Sequence, residues 1–132
     1  MKDLQELRLR EFKITGTCFK NFKKLKFLST KGCDNISEKN FKYLQNLETF
    51  HIMNQLIDIS KLSLLKNLTG IAIHGFKGAK YGDNIFNYIK DLKNLKDILV
   101  FYCNKSLFFD EKIQEFKKEN PKVKLRISFR KN

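Results

Sequence analysis

One skeleton recurs along this chain: a leucine, two variable residues, an apolar residue, a variable residue and a second apolar residue. It appears as "LQELRL" from Leu4, "LKFLST" from Leu25, "LETFHI" from Leu47, "LTGIAI" from Leu68 and "LKDILV" from Leu95, with Thr30 in the last slot of the second. A sixth segment, "KVKLRI" from Lys122, keeps the last two apolar positions, Leu125 and Ile127. Successive starts lie 21, 22, 21, 27 and 27 residues apart, a period that marks a stacked repeat architecture. Apolar residues alternate with period two inside each skeleton, so each predicts a short strand with one buried face.

The connections predict how the chain returns. "DNIFNYIKDLKN", residues 83–94, places Ile85, Phe86, Ile89 and Leu92 on one helical stripe behind a capping Asp83. "DEKIQEFKKEN", residues 110–120, places Ile113 and Phe116 on one face behind Asp110, and Asn120-Pro121 stops it. Ser37 caps a similar segment carrying Phe41 and Leu44, and the shorter "DISKLSLLKN" holds one tight helical turn. Strand, turn and helix repeated in one sheet predict an α/β fold. It is a right-handed solenoid of about six short parallel strands on a concave face, with helices or tight turns on the convex face. The 132 residues read as one domain spanning residues 1–132, with repeats starting near 4, 25, 47, 68, 95 and 122.

These skeletons and spacings resemble the leucine-rich repeat family from Leu4 to Ile127. The run "CDNISEKNFKYLQNL" is similar to cysteine-containing repeats, and "NQLIDISKLSLLKNL", with Asn54, Asp58 and Ile59, is similar to the internalin-like type. Phe12 and Phe76 depart from the family pattern at position nine. The resemblance implies that Cys33 and Cys103, at position nine of their repeats, sit in the turn after the strand as small buried groups. Three repeats separate them, on the order of 14 Å at the usual strand spacing, too far for a disulfide. Cys18 falls on the first return segment, in the core or half exposed. An odd count of three cysteines suits a reducing compartment, and with no secretory signal visible the expected location is cytoplasmic.

In this fold positions four and six point inward and positions three, five and seven project from the concave sheet face. Position five reads Arg8, Ser29, His51, Ala72, Leu99 and Arg126; position seven reads Arg10, Lys31, Met53, His74, Phe101 and Ser128. Position three reads Glu6, Phe27, Thr49, Gly70, Asp97 and Lys124, and Tyr102 stands at the rim. Phe27, Met53, Leu99 and Phe101 are thereby expected to stand exposed beside both histidines of the protein. Apolar and aromatic side chains bracketed by arginine and lysine are what a protein-binding patch looks like. Arg8, Arg10, Phe27, Lys31, His51, Met53, His74, Leu99, Phe101, Tyr102 and Arg126 are the expected partner-binding residues.

Charge adds an alternative. With 27 Lys and Arg against 14 Asp and Glu the net charge is +13, which favours an acidic partner or nucleic acid. Lysine alongside abundant Asn, Ile and Phe is also the composition of AT-rich coding. The lysines are scattered over the return segments and no nucleic-acid-binding motif is present, so RNA binding through the basic surface ranks second. Catalysis is not expected: no phosphate-binding glycine loop or metal motif occurs, and the position-nine cysteines point away from the histidines. No cofactor is called for, and His51 and His74, about 8 Å apart by strand geometry, lack a third metal ligand. The reading is therefore a non-catalytic protein-recognition module such as an adaptor, an effector or a toxin-immunity protein. Its partner is expected to offer an acidic and apolar surface, no segment spans a membrane, and the chain is monomeric or dimerises through an open sheet edge.

Overall fold

The period-two pattern puts alternate residues inside, and the sheet obeys it. The computed structural model describes residues 3–11, 13–33, 35–53, 59–74, 84–103 and 110–129. Six strands, β1 (Glu6–Arg10), β2 (Phe27–Lys31), β3 (Thr49–Met53), β4 (Gly70–His74), β5 (Asp97–Cys103) and β6 (Lys124–Phe129), form one sheet in sequential order. Every neighbouring pair is parallel. Glu6, Phe27, Thr49, Gly70, Asp97 and Lys124 stand side by side across the sheet, and the fifth and seventh positions of each repeat align in the same way. This is the leucine-rich-repeat solenoid, with short helices and tight turns on the convex side.

The length of each repeat decides the form of its return. The three shorter repeats come back through 3-10 segments, Thr17–Asn21, Glu38–Tyr43 and Ile59–Leu64. The two longer ones use α-helices, α1 (Asn84–Ile89) and α2 (Asp110–Glu119). A 3-10 helix rises about 2.0 Å per residue against 1.5 Å in an α-helix, so it spans the same width with fewer residues. The segment behind Ser37, expected to resemble the helical stripes, is thus a 3-10 segment, and the tight helical turn expected in "DISKLSLLKN" is the 3-10 segment Ile59–Leu64. Ser37 still caps its segment, accepting from the Lys39 amide at 3.3 Å. Asn120 closes α2 by donating from Nδ2 to the Phe116 carbonyl at 3.0 Å. The proposed cap Asp83 and the motif residues Asn54 and Asp58 lie outside the described residues, as do Phe12 and Phe76.

The core lies between sheet and returns. Leu25, Leu47 and Leu68 begin their repeats fully buried, and Leu28, Phe50, Ile52, Ile71, Ile73, Ile98 and Val100 follow at the inward strand positions. Phe19, Phe41, Leu62, Phe86 and Phe116 meet them from the returns. Phe41 packs edge-on against Phe50 with centroids 5.8 Å apart, and Phe86 lies 4.9 Å from Phe116. Each fully buried large side chain stabilises the fold by about 1.5–3 kcal/mol. Leu7 and Leu9 in β1, and Leu125 and Ile127 in β6, are only half-buried, because each of these strands has one neighbour rather than two.

Two further devices hold the stack together, and neither was anticipated from the repeat skeleton. The first is an asparagine ladder just before the strands. Asn46 donates from Nδ2 to the Lys23 carbonyl at 2.6 Å, Asn67 to Gln45 at 2.7 Å and Asn94 to Lys66 at 3.3 Å. The sequence signal is an Asn directly preceding Leu47, Leu68 and Leu95. The second is a left-handed residue at position eight of the first two repeats, Glu11 at φ 55° and Gly32 at φ 64°. Gly32 takes this conformation freely while its amide reaches the Met53 carbonyl at 3.0 Å. Glu11 bears the strain of a non-glycine residue there, held by the hydrogen bond that its backbone N–H donates to the Lys31 carbonyl at 2.6 Å.

Cys33 follows Gly32 and is fully buried, with its thiol donating to the Lys31 carbonyl at 3.5 Å. Its reading as a buried turn residue holds. Cys103 instead ends β5 beside a register irregularity opposite Phe129, and its side chain lies outside those described. Cys18 is half-buried. Native-state labelling with a thiol reagent should therefore reach Cys18 well before Cys33, and fast modification of Cys33 would overturn its assignment. Cys33→Ser should lower stability by about 1–3 kcal/mol in urea unfolding, as a buried polar replacement. Thr30 makes the opposite case: it is fully buried at an inward position and its hydroxyl has no hydrogen-bond partner among the described residues. Thr30→Val should raise stability by about 1 kcal/mol in the same assay, since it removes an unsatisfied group at nearly constant volume; a loss of stability would show that the hydroxyl is satisfied in solution.

Candidate functional site

The outward rows of the sheet form a surface whose centre is aromatic and whose two ends are cationic. The chemistry begins at β1 and β2. The Arg8 guanidinium lies 4.4 Å above the centroid of the Phe27 ring, and Phe27 meets His51 edge-on with centroids 4.9 Å apart. A planar cation over a ring face is favoured by the ring quadrupole, and edge-to-face packing favours the ring pair. Arg8 thus shares its charge between solvent, the ring and Glu6, whose carboxylate is 3.8 Å away. Two strands further on, His74 and Phe101 form a second edge-on pair at 6.2 Å.

These contacts correct the expected exposure. Phe27, His51, Met53, His74, Leu99 and Phe101 are half-buried rather than fully exposed. Lys31 is half-buried as well, whereas Arg8, Arg10 and Arg126 are exposed. Ser29 faces outward in register between Arg8 and His51, yet only 4% of it is accessible, because a short side chain sinks between long ones. Between the two aromatic pairs the floor is made of small groups, Thr49, Gly70 and Ala72. A Cβ built on Gly70 would meet only Thr49, at 3.8 Å or beyond, so this part of the face has room above it. Tyr102 falls at the β5 irregularity between Phe101 and Cys103, and its side chain lies outside those described.

The face therefore gathers nine of the eleven expected contact residues from β1 to β5, with Arg126 on β6 and the Tyr102 backbone at the rim. His51 and His74 sit on adjacent strands two positions apart in register. Among the described residues no cluster of three or more His, Cys, Asp or Glu is placed to hold a metal ion. No described helix is long and apolar enough to cross a membrane.

Burial, and then the positive charge of Arg8, hold the His51 imidazole below its ordinary pKa. The consequence for stability has a definite sign. An unfolded chain takes up a proton at His51 as pH falls through about 6.5, while the folded one does so only at lower pH. Stability contributed by neutral His51 is therefore fully present above that value and is lost on acidification toward the folded pKa. Urea unfolding at about pH 7.5 and 5.5 should show a smaller acid-induced loss for His51→Phe than for the unmodified protein. Equal losses in both would remove His51 as the cause.

With this geometry in hand, the fold finds a counterpart among solved structures. It is similar to an internalin from Listeria monocytogenes strain 4b F2365, with a TM-score of 0.60 and 15% sequence identity over 98% of this chain. This chain spans 43% of the internalin's length. No protein-family profile and no curated protein matches the sequence. The likeness is one of fold.

Proposed function

We propose that this protein is a non-catalytic recognition module that binds another protein on its concave sheet face. The observation that carries the reading is the row of half-buried aromatic groups on the outward side of the sheet, Phe27 with His51 and His74 with Phe101, flanked by Arg8. A sheet surface facing only water is ordinarily polar at these positions, whereas rings partly fixed by one another lose little entropy when a partner covers them. Arg10 and Lys31 at one end and Lys124 and Arg126 at the other suit a partner with carboxylates around an apolar centre. The similarity of fold to an internalin is consistent with a binding scaffold, as an analogy at the level of fold. An adaptor, an effector or an immunity protein would each use such a face, acting without a cofactor and within the cytoplasm.

A single chain meeting a different protein is the simplest form of this reading, with pairing through the sheet edges as its alternative: continuing the register from last edge to first would set Arg126 against Arg8 but Lys124 against Glu6.

The test is a pair of matched substitution sets measured by calorimetry against the partner recovered from the native host. Phe101→Ala and Met53→Ala should each weaken the complex by about 1–3 kcal/mol, as truncated anchors do, with little change in melting temperature. Lys90→Ala and Lys117→Ala, on the convex side, should alter neither. Binding lost from the convex variants and kept in the concave ones would refute the site.

A further inference from the structure

Five of the 23 lysines line the edge of the sheet where the strands begin, four of them in the first two repeats and Lys96 in the fifth. Two contiguous concavities run along this edge and share Lys24. One, of about 510 Å³, crosses the stack from Gln5 through Asn46 and Asn67 to Asn94 and Lys96. The other, of about 750 Å³, lies on the side toward the first returns and is lined by Lys20, Lys23, Lys24 and the half-buried Tyr43. Together they hold five lysines, at 20, 23, 24, 26 and 96, against two carboxylates, Asp3 and Glu48. Asp3 is engaged by Lys24 at 2.9 Å, while Glu48 stands alone at the middle of the groove. The five lysines are all exposed.

The ladder beneath explains why the groove is straight and stiff. Backbone amides at positions two and three of each repeat converge on one carbonyl of the repeat before: Lys26 and Phe27 on Gln5, Glu48 and Thr49 on Lys26, Thr69 and Gly70 on Glu48. The Asn46, Asn67 and Asn94 amide groups donate backward in the same sense. With the paired backbone amides and one N–H of each asparagine held by the ladder, what the groove offers outward is lysine charge and the remaining amide groups on a fixed floor. Lys42 lies 5.2 Å from the centroid of the Tyr43 ring, which puts an aromatic face and cations together at one end.

We infer that this groove is a second binding site, distinct from the concave face, that takes the phosphodiester backbone of a single-stranded nucleic acid. A cationic channel tracking a backbone, with an aromatic ring at its end for an unpaired base, is the combination that binds single strands without reading sequence. Five repeats at the strand spacing extend the channel over about 19 Å, the reach of roughly four nucleotides in a small site. Lysine supplies point charges suited to phosphate oxygens rather than the bidentate forks that read bases. A strand lying here would leave the aromatic sheet face open to a protein partner.

The experiment uses the full chain and a fluorescein-labelled oligouridylate of about 20 nucleotides, titrated by anisotropy at about 100 mM salt. A groove variant, Lys24→Glu/Lys26→Glu/Lys96→Glu, is set against a convex variant of identical net charge, Lys61→Glu/Lys90→Glu/Lys117→Glu. The groove variant should bind at least about tenfold more weakly, and the convex one within about twofold of the unmodified protein. Glu48→Lys, which makes the channel continuous, should tighten binding by about threefold or more; it also keeps the test decisive if the triple variant fails to fold. Oligothymidylate should bind comparably, because backbone contacts ignore the sugar. Equal losses in the two triple variants would show diffuse attraction to a basic protein and overturn the site. So would an absence of binding, a preference for only one of the two sugars, or equal groove-dependent binding of a polyglutamate probe. None of these substitutions touches the sheet face, so the protein-recognition reading stands or falls separately.

Discussion

Every second residue of each strand faces one shared core, and this molecule is organised around that constraint. Positions four and six of each repeat are apolar except at Thr30, and they lie level with those of the repeats beside them. A slip of one residue would exchange the Leu28, Phe50, Ile71 and Ile98 row for the Phe27, Thr49, Gly70 and Asp97 row and expose the core. The register is therefore overdetermined, and once it is set the outward rows are aligned whatever their chemistry. Aromatic pairs such as Phe27 with His51 arise because the core, on the other side of the sheet, has already fixed their neighbours.

The same constraint separates the two edges of the sheet. Where strands begin, paired amides and asparagine side chains tie each repeat to the one before it. Where strands end, the chain turns by different means in different repeats: a strained Glu11, a relaxed Gly32 with Cys33 behind it, an irregularity near Tyr102. The beginning of each repeat is thus uniform and rigid, and the end is individual. Uniformity suits a ligand that is itself periodic, and individuality suits a surface that must know one partner from another.

Much of this was legible in the sequence. Six strands, their register and the buried face followed from period two and the spacing of leucines, because those are the residues that the hydrophobic effect sorts most strongly. The face of Arg8, Phe27, His51, Met53, His74, Leu99 and Phe101 followed by subtraction. What escaped was what depends on backbone detail. Asn46, Asn67 and Asn94 carry a plain signal, an Asn before each repeat leucine, yet their partners are main-chain carbonyls that no side-chain pattern displays. The choice between 3-10 and α returns is a matter of rise per residue, and apolar stripes fit both at this length. The alignment of Lys24, Lys26 and Lys96 along one groove was hidden because they lie up to 72 positions apart in the chain and share an edge only through the stack. Half-burial of the sheet aromatics came from contacts between outward side chains, which a pattern of inward and outward positions does not contain.

The unequal returns also shape the face that they do not touch. On the inner side every step is one strand spacing, about 4.8 Å. On the outer side, helices packed on one another need 8–10 Å between axes, more than narrow 3-10 turns require. An α-helical return such as α1 or α2 therefore favours a wider step at the back than a 3-10 return does, and the bend of the sheet in front follows from the form of its returns. Adding or removing a few residues behind the sheet would re-aim one aromatic pair toward the other without altering a single contact residue. Fit to a partner, in such an architecture, is open to change by selection acting on the side of the molecule that the partner never meets.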